Sequence, residues 1–149
     1  MKVFVDTNVV LDVLLKRVPF CKDSFTVFQL SDSKYICGVL AAITVTDSFY
    51  VLRKAGKSRA DVYQDMDDIS GIFKITPVSQ STISSALALR WKDFEDAVQF
   101  VAAKESEVDF IITRNKADYQ STDIPCMTPA EFIAFLKEKE EAENDNTAE

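Results

Sequence analysis

The chain has 149 residues, 47% of them hydrophobic and 28% charged, which suits one globular domain and is short for two. It contains no histidine and only three widely spaced cysteines, Cys21, Cys37 and Cys126. That excludes Ser-His-Asp and Cys-His nucleophilic schemes, a disulfide framework and most zinc, copper and non-haem iron centres. The formal charge of −7 is uneven: six acids and one lysine give residues 138–149 a charge of −5, leaving −2 for residues 1–137. A nucleic-acid partner therefore stays open. No apolar run is long enough to span a bilayer, and an acid at position 6 comes too early for a signal peptide. A soluble cytoplasmic protein is expected, with residues 1–137 as its domain and residues 138–149 as an acidic helix end fraying into disorder.

Lys2–Val5 reads as a buried strand from its β-branched and aromatic content. A helix is predicted from Thr7 to about Lys16, broken by Pro19, and a second from Phe20 to Ser31 with Phe25, Phe28 and Leu30 on its buried side. Tyr35–Gly38 is a second strand and Ala41–Ala55 a helix. Ser58 and Asp61 form a capping pair that opens a helix to about Ser70. Phe73–Thr76 is a strand, Ser81–Leu89 a helix, and Asp93–Glu105 a helix with Ala97, Val98, Val101 and Ala102 inward. Phe110–Thr113 is a fourth strand, a short fifth is expected near Cys126, and Thr128-Pro129-Ala130-Glu131 starts the last helix. This alternation implies a parallel sheet covered on both faces, with binding groups outside the carboxyl ends of the strands.

Acids mark such places. Asp6 follows the first strand directly, where it serves either as a helix N-cap or as a site carboxylate. Asp47 lies mid-helix beside an apolar stripe, balanced by Arg53 or Lys54 if it is a surface acid. Asp93 and Asp96 share the first turn of their helix, as N-cap and third residue or as a pair with chemistry to do. After the fourth strand, Thr113, Asn115 and Asp118 offer a hydroxyl, an amide and an acid. Only three glycines occur, so a Gly-rich phosphate loop is absent.

Taken together, Val3-Phe4-Val5-Asp6-Thr7-Asn8-Val9-Val10-Leu11-Asp12, Asp93-Phe94-Glu95-Asp96-Ala97-Val98-Gln99 and Ile111-Ile112-Thr113-Arg114-Asn115-Lys116-Ala117-Asp118-Tyr119 resemble PIN domains in order and spacing, over residues 1–136. The resemblance implies a three-layer α/β/α sandwich with a mostly parallel sheet of four to five strands. It implies a pocket of acids in which Asp6 is the first and Asp96 the third. Asp47 stands where the family usually has Glu, and Asn115 where many relatives carry Asp, with Asp118 the nearest substitute.

A cluster of carboxylates asks for a cation, and oxygen ligands alone favour Mg²⁺ or Mn²⁺. The expected activity is metal-dependent endoribonuclease hydrolysis of RNA. Asp6 and Asp96 would coordinate, Asp47 would ligate or position water, Asp93 would support them, and Thr113 and Asn8 would hold the acids by hydrogen bonds. Lys16, Arg17, Arg53, Lys54, Arg114 and Lys116 are candidate contacts to RNA phosphates. The family further implies an antitoxin partner for many small bacterial members, and a homodimer. Two rivals stand beside this reading. One is a catalytically weak or inactive PIN domain serving as an RNA-binding or protein-interaction module. The other is a phosphohydrolase with Asp6 as nucleophile, disfavoured by Asn8 where a second aspartate belongs.

Overall fold

Alternation within the first strand sets the layers. The computed structural model describes residues 1–119 and 123–147. In β1 (Lys2–Val5), Val3 and Val5 face one side of the sheet and Phe4 the other, and all three are fully buried. A strand without a polar face must lie between two helical layers. The strands β2 (Cys37–Ala41), β3 (Lys74–Thr76), β4 (Phe110–Ile112) and β5 (Cys126–Met127) join β1 in the order β3-β2-β1-β4-β5, all parallel.

The Val3/Val5 face is covered by α1 (Thr7–Leu14), α2 (Cys21–Asp32), α3 (Ala42–Lys54), α4 (Arg59–Ile72) and α7 (Pro129–Thr147). The Phe4 face is covered by α5 (Gln80–Leu89) and α6 (Phe94–Glu105). Ser58 caps α4 through Asp61 N–H at 3.1 Å. Thr128 and Glu131 cap each other reciprocally at the start of α7. The expected α/β/α sandwich with a parallel sheet is what the chain forms.

Two boundaries and one helix face differ from expectation, each for a local reason. α1 ends at Leu14 because Lys16 takes a left-handed φ of 51°. Phe25 is half-exposed, since α2 turns Ser24, Val27, Phe28 and Ser31 inward instead. β2 begins later than expected, with Tyr35 outside and Val39-Leu40-Ala41 buried between β1 and β3. α7 runs on as helix past residue 137 to Thr147. A capping box and the buried Phe132 and Leu136 nucleate α7, and the Glu/Lys/Ala run beyond propagates it at little cost. The extreme end of the acidic tail, residues 148–149, lies outside the described residues.

Gly38 in β2 is a close-approach glycine. A β-carbon there would meet the Ser31 hydroxyl and lie 2.5 Å from the Phe73 ring. Gly38→Ala should therefore destabilise by about 1–3 kcal/mol, read as a lower urea midpoint at unchanged slope.

Candidate active site

Asp6 stands where the sheet order reverses. β1 pairs with β2 on one side and β4 on the other, and the crevice that opens at their carboxyl ends is where such folds bind ligands. Val5 is level with Ile112, so Asp6 and Thr113 leave adjacent strands side by side. Asp6 is the N-cap of α1 and is 2% exposed. Its Oδ2 accepts from the Thr113 hydroxyl at 2.7 Å and the Tyr119 hydroxyl at 3.1 Å. Its Oδ1 accepts from Asn8 N–H at 3.2 Å and Gln99 Nε2 at 3.3 Å. Burial pushes the carboxyl above its ordinary range, and these four donors only partly oppose it. Burial, followed by the Asp6 charge, keeps the Tyr119 phenol well above its usual value, so Tyr119 remains a donor.

α3 and α6 bring the other acids to this end of the sheet. Asp93 caps α6 by accepting from Asp96 N–H at 3.1 Å. Asp96 is half-buried and its carboxyl is pushed up to about 7, by burial first, then by the charges of Asp6, Asp93, Asp118 and Glu95. Glu95 is likewise raised to about 7, by partial burial, then by the charge of Asp47 and a hydrogen bond to it, then by Asp6 and Asp93. Asp6, Asp47, Glu95 and Asp96 thus share one electrostatic neighbourhood. Asp118, in the short 3₁₀ turn Lys116–Asp118, faces it from the β4 side.

The donors are carboxyl oxygens, and their raised proton affinity shows how strongly this end of the sheet calls for positive charge. That fits a hard divalent cation. It is not a finished cage: among the described residues no three acid or cysteine side chains stand together at ligating distance. Asp6 already accepts four hydrogen bonds, the full complement of a carboxylate. Ligation by Asp6 would require a donor to yield, and Gln99 at 3.3 Å is the longest contact.

Residues 2–117, which include Asp6, Asp47, Asp93, Glu95 and Asp96, match the PIN domain family model. The chain belongs to the PIN domain family. A relative in Aquifex aeolicus, named Ribonuclease VapC1, is 30% identical over 136 residues, covering 88% of this chain and 92% of that protein. The VapBC2 complex of Rickettsia felis bound to a promoter DNA fragment superposes with a TM-score of 0.68 at 14% identity, over 86% of this chain and 98% of the other. A toxin–antitoxin complex from Klebsiella pneumoniae does so at 0.64 and 20% identity, over 85% and 97%.

Within this PIN fold several side chains sit differently from expectation. Asn8 reaches Asp6 through its backbone N–H, while its Oδ1 accepts from Arg114 N–H at 3.5 Å. Asn115 is exposed and donates its backbone N–H to the Thr113 hydroxyl at 3.1 Å. Among the cations, Arg114 and Arg17 both contact the buried Asp12, at 2.7 and 3.7 Å. Lys116 pairs with Glu131 at 2.7 Å, Arg53 donates to Lys57 O at 2.7 Å, and Lys54 lies 5.9 Å from the Tyr50 ring centroid. Lys16 is exposed just past α1.

Four participants were not singled out from sequence: Glu95, Gln99, Tyr119 and Asp12. Gln99 had a signal, as the lone amide among the apolar residues of α6 and three residues on from Asp96. It receives Thr7 N–H at 3.0 Å on Oε1 while donating to Asp6, and so locks α6 to the start of α1. Thr7 in turn bonds Thr44 on α3 at 2.8 Å.

Proposed function

We propose that this chain is a metal-dependent endoribonuclease, the toxin of a toxin–antitoxin pair acting in the cytoplasm. Mg²⁺ or Mn²⁺ would be held by Asp6 and Asp96, with Asp47 and Glu95 beside them. The observation that carries the reading is the convergence at the β1/β4 switch point of a buried, fully hydrogen-bonded Asp6 with the half-buried Asp96 and the exposed Glu95, whose carboxyls are both raised to about 7. Its 30% identity to a protein named a ribonuclease supports the RNA substrate. The metal, when bound, would polarise the phosphate and lower the pKa of a water.

The chain's own part is orientation. Thr113 and Tyr119 hold one oxygen of Asp6 and Asn8 N–H the other, so its carboxylate plane is fixed before substrate arrives. Asp93 fixes the first turn of α6 and with it Asp96. Asp47 and Glu95 approach each other from α3 and α6, close enough for the Asp47 charge to raise the Glu95 carboxyl. The complexes among its structural neighbours support an antitoxin partner, and a homodimer belongs to the same proposal. No helix among the described residues is long and apolar enough to cross a membrane.

The test is a cleavage assay on a mixed RNA pool with Mg²⁺, Mn²⁺ or EDTA, paired with Mn²⁺ titration calorimetry. Cleavage with either metal, absent in EDTA, is the expected result. RNA retention without cleavage under any metal would favour the non-catalytic binding module instead.

A further inference from the structure

Next to the acids lies a cavity of about 350 Å³ between the start of α2, the turn after β4 and the first turn of α7. We propose that it is a subsite for a second backbone phosphate of the RNA strand, flanking the one at the acids, bound by Arg114, the Ser24 hydroxyl and the Ala130 N–H. The proposal rests on the ribonuclease reading above and names how that site tracks its strand.

Arg114 is held as a fixed plane. Its guanidinium lies 4.1 Å from the Phe20 ring centroid, and its Nε is 2.7 Å from Asp12 Oδ2. Arg17 stands 3.7 Å from the other Asp12 oxygen, so two cations share one buried acid and the group keeps a net positive charge. The contact with Asp12 is an ion pair through Nε rather than an aligned hydrogen bond, and a planar fork suits phosphate oxygens.

Ser24 supplies the independent sign of a ligand. It is fully buried, it lines the cavity, and its hydroxyl has no partner. A buried donor without an acceptor is costly unless something fills the role. At the start of α7 the capping box uses the N–H groups of Thr128 and Glu131, and Pro129 has none. Ala130 lines the cavity in the first turn of a 19-residue helix, at its electropositive end. Asp23 is the acid on the wall, and the excess charge of the Arg17–Asp12–Arg114 group offsets it. Asn115 ties the cavity to the catalytic end: it lines the wall, and its N–H bonds the hydroxyl of Thr113 that holds Asp6.

The experiment is an NMR titration of the ¹⁵N-labelled protein in EDTA, with inorganic phosphate and with an RNA trinucleotide, which stays intact because no metal is present. Both probes should shift the Ala130 and Ser24 amides and the Arg114 Nε–H. In EDTA the acid end repels the strand's other phosphate, so the trinucleotide should bind through the cavity alone, with an affinity similar to that of inorganic phosphate. Arg114→Gln should weaken trinucleotide binding ~10-fold and lower the slope of log affinity against log salt by about 0.7, the value of one single-strand phosphate. Should Arg114→Gln fail to fold, Arg114→Lys and Ser24→Ala carry the test: each should weaken binding severalfold at an unchanged slope.

Wild-type affinity in these variants, or shifts confined to the Asp6–Asp96 side, would overturn the subsite. Binding of inorganic phosphate with no binding of the trinucleotide would overturn it as well, leaving a free-anion site. Because the titration runs without metal or cleavage, an inactive enzyme in the Mn²⁺ assay bears on the nuclease reading alone.

Discussion

Asp96→Asn should abolish Mn²⁺-dependent RNA cleavage and raise the melting temperature of the metal-free protein at pH 8, with the gain shrinking as pH falls toward 4. The Asp96 carboxyl is raised from the ordinary 3.8 to about 7 in the fold, by burial and then by Asp6, Asp93, Asp118 and Glu95. Between those two values the native state binds more protons than the unfolded chain. Stability therefore falls as pH rises through that window, and the full loss is present above it. An amide has no such charge, keeps an acceptor at the third helical position, and relieves repulsion wherever the carboxylate would be ionised. Losing a negative charge at a helix start costs about 0.3–1 kcal/mol when that charge is merely favourable to the dipole. Here burial first, and then the neighbouring acids, push the carboxyl the other way. Activity should fall by more than the roughly 10–100-fold that removing a group which only orients a ligand costs. Cleavage rates and melting curves at pH 4, 6 and 8 on one preparation decide the matter. A variant that melts lower at pH 8 and still cuts would make Asp96 a structural helix-start residue.

The sheet and its layers were legible because each strand is a short apolar block next to a helix signal, with β1 flanked by nothing polar until Asp6. What sequence could not set was rotation about each helix axis. Phe25 looked like core because it is aromatic, yet α2 turns the smaller Ser24 and Ser31 inward, and Ser31 packs where Gly38 and Phe73 leave little room. Asp6 was visible as an acid at a strand end. Glu95 was not, because its neighbour is Asp47 on α3, and that meeting depends on how two helices on opposite faces overhang the same strand ends. Asp12 was hidden for a related reason. It sits within the apolar stripe of α1, and its partner Arg114 is more than a hundred residues away and looked like a solvated cation.

That pair yields the largest stability effect. Arg114→Gln should cost about 3–5 kcal/mol, the usual penalty for stripping one partner from a buried ion pair. Asp12 has no exposed surface, and its carboxyl is already raised by burial even with Arg114 and Arg17 opposing the shift. Removing Arg114 leaves only Arg17, 3.7 Å away, to hold the charge. The double variant Asp12→Asn/Arg114→Gln should recover most of the loss, because two neutral amides of similar shape carry no uncompensated charge. The single variant should also improve as pH falls, since the stranded carboxyl takes up a proton in the fold and its penalty disappears with its charge. Urea denaturation of the wild type, both single variants and the double variant at pH 5 and pH 8 gives the coupling directly. Additive losses in the double variant, or a pH-independent penalty in Arg114→Gln, would mean that Arg114 stabilises the fold through its stacking on Phe20 rather than through Asp12.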